Sequence, residues 1–401
     1  MMIDAARHRA NTSAPPNRGC LDSPSRSNNP SSFLGLPPPY GGFMLPNSMH
    51  PSTKGFLTCF FWCGHTEEAD SEMEEEEDLS VGMPDYLFGR RLGQGRQGEV
   101  RHAIQRSDGQ SVAVKCVRRH RHADDQTEIE GVLEEAAVLK RLSHSSIVSL
   151  MKFESLPSCN YLVLELLDGG ELLDAVAGLA TYTEHDARQI AIALLKGLAH
   201  AHDSARCVHR DLRPEKLLLQ RDPVGTKSRS LGRRVKITGW GRAKLLPDNG
   251  LVPGEPCFSA KAFSAPEMLL GESHGASADM FAVGAILYTL LSGSPPRAAG
   301  LVAAINPAPP DVSGPAWGGV SSEAKGLVGA LMTPRGPAAR LTARQALGHS
   351  WIRAGERALR ARSLEAVLKG ARVLSWRGAM DLQKAGNGVQ GAAIPRVRSM
   401  F

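Results

Sequence analysis

At 401 residues, with 42% hydrophobic content, the chain is long enough for one large domain with tails and has the apolar content of an ordinary globular core. Its seven cysteines are scattered, without the paired spacings of a disulfide framework or a zinc site, which points to a reducing, cytoplasmic setting. The net charge of +6 comes without a basic stripe interleaved with aromatics, against nucleic-acid binding; no apolar run nears the ~20 residues of a membrane span, and the polar start has no signal-peptide core.

In chain order, residues 1–83 are rich in Pro, Ser, Asn and Gly and end in an acidic run, EEADSEMEEEED, at 67–78. Such a segment buries too little apolar surface to offset its ordering entropy and is expected to be disordered. Within it, FLTCFFWC (Phe56 to Cys63) reads as sticky linker, with a docking peptide or a lipidated patch as the alternatives.

From Tyr86 the texture changes to short β-branched runs, FGRRLGQGRQGEVRHAI, SVAVKCV and YLVLEL, which predict strands of a small sheet. Between the second and third, Val132, Ala136, Leu139 and Leu142 recur at helical spacing. From Leu172 onward helical patterns dominate. A β-rich front and an α-rich rear in one domain predict a two-lobed α+β architecture over residues 84–352. The Lys/Arg-rich insertion between Gln220 and Arg233 reads as a solvated loop.

Gly93, Gly95, Gly98 and Val100 spell GxGxxGxV, where glycine lets a hairpin bring backbone N–H groups close to phosphates. A dinucleotide fold would follow the glycines with a helix. Here a strand follows, carrying Val112, Ala113, Val114 and Lys115; His209–Glu215 (HRDLRPE) and Ala265–Pro266–Glu267 come later. This set in this order resembles a eukaryotic protein kinase across Tyr86 to Ile352. The segments YLVLELLDGGELLDAV, LLSGSPP and RLTARQALGHSWI are most similar to the calcium/calmodulin-dependent and plant calcium-dependent Ser/Thr kinases.

The resemblance implies ATP as the ligand and protein hydroxyls as acceptors. It makes Lys115 the partner of the α and β phosphates and Glu135, chosen over Glu134 by its spacing to His144, the partner of Lys115. Leu164 falls at the gatekeeper position, with the Glu165 carbonyl and the Leu167 N–H facing adenine, and Val100, Ala113 and Leu218 sandwiching the ring. Asp211 is the candidate base, and Arg213 stands where a phosphate-reaching Lys is usual.

Two departures put catalysis in doubt. A kinase holds two Mg²⁺ ions with an Asp and an Asn. Here the Asp position is Gly239 in Gly239–Trp240–Gly241, and the Asn position is Lys216, so no metal ligand set is expected and the chain reads as a pseudokinase. Both changes make the pocket more positive. Lys216 is thus a candidate stand-in for a metal, allowing ATP to be held without Mg²⁺; the alternatives are that it points to solvent or pairs with a neighbouring acid. Trp240 replaces the Phe whose packing sets active and inactive states. In the loop before Ala265, SAKAFS stands where GTPxYx is usual.

Residues 353–401 read as a basic C-terminal tail. Leu364, Val367, Leu368, Ala371 and Leu374 lie at helical spacing among Arg360, Arg362, Lys369, Arg372 and Arg377. Such an amphipathic helix binds calmodulin, lies on anionic membranes or folds back on its own domain. No calcium-binding loop follows, so a calcium response would need a separate sensor.

Overall fold

The computed structural model describes residues 82–95, 98–119, 125–221, 230–254, 262–296, 308–333 and 336–368. The acidic run, FLTCFFWC, residues 96–97 of the glycine loop, the first half of the SAKAFS segment (259–261) and the tail beyond Leu368 lie outside them.

The front lobe is one antiparallel sheet in the order β1-β2-β3-β5-β4, from β1 (Tyr86–Gly95), β2 (Gly98–Gln105), β3 (Ser111–Arg118), β4 (Leu150–Ser155) and β5 (Cys159–Glu165). Side chains alternate across a pleat, so β3 feeds two cores at once. Val112, Val114 and Cys116 pack outward with Met83, Tyr86, Tyr161 and Val163. Ala113 and Val117 face inward with Val100, Leu162 and Leu164. Helix α1 (Asp125–Arg141) joins the inward core through Val132, Ala136 and Leu139, the stripe that the sequence spacing predicts. β4 has no clear signal in the sequence, because LMKFES has little apolar alternation.

The rear lobe holds helices α2 (Leu172–Ala177), α3 (Glu184–Ala199), α4 (Leu231–Arg234), α5 (Pro266–Leu269) and α6 (Ala276–Ser292) and the short strand pairs β6 (Cys207–Val208) with β9 (Lys244–Leu245) and β7 (Leu217–Leu219) with β8 (Val235–Ile237), and it is built on α3 and α6. Thr183 caps α3 in a reciprocal capping box with Asp186. Helix α6 is buried on nearly every side, as an almost uniformly apolar helix must be. Arg340 forks onto Glu267, with Nη2 to Oε2 at 2.9 Å, and lies over the Phe281 ring, pairing a buried charge bidentately. Part of the basic insertion is not solvated: Leu231 is buried in the short turn Leu231–Arg234, beside α3.

The packed body continues past Ile352. Helix Glu356–Arg360 follows, then a break, so Arg360 and Leu364 do not share one continuous helix as the spacing predicts. At the break Ser363 bridges Thr183, and Leu364 N–H donates to the Tyr182 carbonyl at 2.9 Å. Leu359, Leu364, Val367 and Leu368 are all buried in the main core.

Candidate functional site

Between the lobes lies a cavity of about 570 Å³, walled by Leu92, Ala113, Val148, Leu164, Leu167 and Leu218 among others. Apolar walls edged by Arg90, His102, Ser111, Glu165, Asp168 and Arg221 suit a flat heterocycle with polar substituents. Of the three ring-sandwiching residues that the sequence suggests, Ala113 and Leu218 line it, whereas Val100 is buried away from the wall; Leu92 and Val148 take part instead. The Glu165 side chain is committed elsewhere. Its Oε1 accepts from Lys236 Nζ and from Ser149 N–H, each at 2.7 Å, tying the strand β5 end to β8 (Val235–Ile237) of the rear lobe. The Leu167 N–H makes no hydrogen bond among the described residues and is available to a ligand.

Above the cavity, Gly93 pairs with Val100 and Gly95 with Gly98 across the β1–β2 hairpin. Gly98 has φ +143°, and a Cβ there would fall 2.1 Å from the Cys116 carbonyl oxygen, so only glycine lets the hairpin close onto β3. On β3, Lys115 Nζ donates to Glu135 Oε2 at 2.6 Å, both side chains buried. The neighbouring Glu134 pairs instead with Lys244 of β9 (Lys244–Leu245), so two adjacent acids fasten α1 to both lobes.

Below the cavity, the loop His209–Lys216 is held by the fully buried Asp279 of α6. Asp279 accepts from His209 N–H at 2.8 Å, Arg210 N–H at 2.9 Å and His202 Nε2 at 2.8 Å. Burial opposes the carboxylate charge, but His202 and these donors outweigh it and hold the group below its ordinary range. This grip holds Arg210 at φ +67°, uncommon for a non-glycine residue. His209 accepts at Nδ1 from Asp211 N–H at 3.2 Å and donates from Nε2 to the Thr238 carbonyl at 2.9 Å. That is the neutral tautomer, and burial pushes its pKa down accordingly. Asp211 Oδ1 lies 3.6 Å from Arg213 Nε.

Lys216 neither points to solvent nor pairs with an acid. It is 4% exposed, and among the described residues no carboxylate lies within 4 Å of its ammonium. Its side chain runs beside Gly239: a Cβ on that glycine would sit 2.5 Å from Lys216 Cδ, 3.0 Å from Cε and 3.2 Å from Nζ. The lysine fills the space where a side chain at 239 would start. Burial pushes its pKa from 10.5 down to about 8; Arg213 and Lys115 also lower it, while Asp211 and Glu215 hold it up.

The family model described as protein kinase domain matches residues 86–352. The chain belongs to the protein kinase family. Calcium/calmodulin-dependent protein kinase type 1B of Rattus norvegicus is 34% identical over 290 residues, covering 71% of this chain and 79% of that protein. Serine/threonine-protein kinase DCLK1 of Rattus norvegicus is 32% identical over 318 residues, covering 76% of this chain and 70% of that protein. Ribosomal protein S6 kinase alpha-4 of Homo sapiens is 37% identical over 298 residues, 71% of this chain but only 36% of that longer protein.

A protein kinase orders its phosphate site with an ion pair between a lysine of the third strand and a glutamate of the following helix, and Lys115 of β3 and Glu135 of α1 form a pair of that kind. The magnesium pair that the family uses does not fit here. An ammonium at Lys216 and a bare glycine at Gly239 stand at the two positions that the family's pattern gives to metal ligands, and neither can coordinate a cation. The remaining member of the degenerate motif is structural. Trp240 is fully buried, donates from Nε1 to the Ile237 carbonyl at 3.3 Å, and packs its ring 4.6 Å from that of His209. Trp240→Phe is therefore expected to lower stability by roughly 1–2 kcal/mol, from lost buried area and a lost hydrogen bond. A thermal melt checks it, and an unchanged melting temperature would show that the extra ring is not part of the packing.

Proposed function

We propose that this kinase domain binds a nucleotide in the interlobe cavity and serves as a conformational switch or scaffold, with phosphoryl transfer severely impaired. The observation that carries this reading is the buried Lys216 beside Gly239, where a kinase needs two metal-liganding side chains. Phosphoryl transfer rests on positioning and charge, and losing even one electrostatic donor typically costs on the order of 10² to 10³ in rate. The closed Lys115–Glu135 pair and the Glu134–Lys244 bridge give partners a defined lobe arrangement to read. Buried free thiols at Cys116, Cys159 and Cys207 accord with a reducing cytoplasm.

A second reading, a Ser/Thr kinase with weak or metal-independent transfer, draws on Asp211, which keeps its place on the loop anchored by Asp279. Arg213 beside it supplies a cation that can reach a transferring phosphate. Calmodulin as a partner of the basic tail belongs with either reading. It is supported by the amphipathic pattern, and one similar protein is named for its calmodulin dependence.

Transfer of labelled γ-phosphate to the protein itself and to a generic basic protein, with Mg²⁺ and with chelator, separates the two. The expected result is no transfer above that of Asp211→Asn. Transfer that this substitution abolishes would make the protein an enzyme.

A further inference from the structure

We propose that Lys216 is a built-in cation occupying the place of the catalytic metal, so that the cleft takes metal-free nucleoside di- or triphosphates and divalent cations weaken their binding. This rests on the nucleotide-binding reading above and specifies the ionic form of the ligand.

Three observations carry it. The aliphatic stem of Lys216 runs through the space that any side chain at 239 would enter, so the two positions fit as a pair: lysine with glycine. Lys216 is only 4% exposed and, among the described residues, no carboxylate lies within 4 Å of its ammonium, so a largely desolvated charge without a close counterion favours an incoming anion. Finally, Asp211, Arg213 and Glu215 on the loop and Lys115 on β3 all lie close enough to act on its charge, two acids against two cations, which leaves Lys216 as the unbalanced positive charge among them.

A polyphosphate brings strong negative charge, and a fixed ammonium in a low-dielectric cleft meets it without a counterion. A magnesium complex of the same nucleotide arrives partly neutralised and with a bound cation, which Lys216 repels and for which Gly239 offers no ligand.

The test is calorimetric titration of the full chain with ATP and with ADP, in chelator and in excess MgCl₂, for wild type and Lys216→Met. Wild type is expected to bind more tightly in chelator, by about tenfold or more, and Lys216→Met to lose at least that factor in chelator, the weight of one charged hydrogen bond. Should Lys216→Met fail to fold, wild type alone still decides. Metal-free affinity should fall as pH rises through about 8, where Lys216 loses its proton amid Asp211, Arg213, Glu215, His209 and Lys115, and the ATP phosphates are already fully ionised. Tighter binding with Mg²⁺, or metal-free affinity indifferent both to pH and to Lys216→Met, would overturn the proposal and leave nucleotide binding standing. No binding under any condition would overturn the nucleotide reading and this proposal together.

Discussion

Lys216→Asn combined with Gly239→Asp is expected to give the cleft magnesium-dependent nucleotide binding that neither single substitution gives. Gly239→Asp alone brings a carboxylate into a space already holding Lys216, with its Cβ 2.5 Å from the lysine Cδ. The lysine chain end must move aside, and the new acid then meets the ammonium directly. It forms an internal ion pair and is consumed as a metal ligand. Backbone strain is a smaller matter, because φ +75° at this position is a region Asp tolerates better than most residues. Lys216→Asn alone removes the cation but leaves no carboxylate at 239 for a metal to bind. Only the pair restores the Asp and Asn that hold the family's metals. Residues in contact couple by about 0.5–3 kcal/mol, so the double variant should depart from the sum of the singles by up to roughly a hundredfold in the magnesium effect on affinity. ATP titrations of the four proteins with and without Mg²⁺ measure the coupling directly. Full magnesium dependence in Gly239→Asp alone would show that Lys216 does not occupy the metal's place.

Much of this site could be read from the sequence, because its chemistry demands fixed residue types in a fixed order. The glycine hairpin, Lys115 with Glu135, and the loop around Asp211 all fall where the pattern puts them. The floor and roof of the cavity are less legible in the sequence. Leu92 and Val148 line it and Val100 does not, since strand alternation says which residues share a face but not how far along the face a pocket extends. The placement of Lys216 was the least accessible. A long flexible side chain near a surface loop has several rotamers open to it, and what selects among them is a missing side chain at Gly239, a neighbour in space and not in sequence. The same reason hides the Asp279 anchor: nothing in an apolar helix announces that its one acid caps a loop some 70 residues earlier.

The tail is where sequence spacing and packing diverge, and it carries a large expected effect. Replacing Leu364, Val367 and Leu368 together with alanine in the full chain is expected to cost on the order of 5 kcal/mol or more, as truncating buried aliphatic side chains costs about 1–5 kcal/mol apiece. These residues read in the sequence as the apolar face of a basic helix that binds calmodulin, lies on an anionic membrane or folds back on its own domain. In the structure they are buried in the kinase core, Ser363 bridges Thr183 at the start of α3, and the backbone of Val367 passes so near Gly293 that a Cβ there would lie 2.9 Å from the Val367 Cα. With about 2–4 °C per kcal/mol for a domain of this size, the melting temperature should fall by roughly 10 °C or more. A shift within a degree or two would mean that the docking contributes little and that the segment is free to leave. The size of that shift bears directly on the tail as a target for a calcium sensor. A partner that takes Leu364, Val367 and Leu368 for its own groove must first strip them from the rear lobe, so its affinity is reduced by the docking energy. A calmodulin-type ligand added to the wild type should therefore lower the kinase domain's melting temperature as it binds, whereas a partner that reads only the basic residues beyond Leu368 should leave it unchanged.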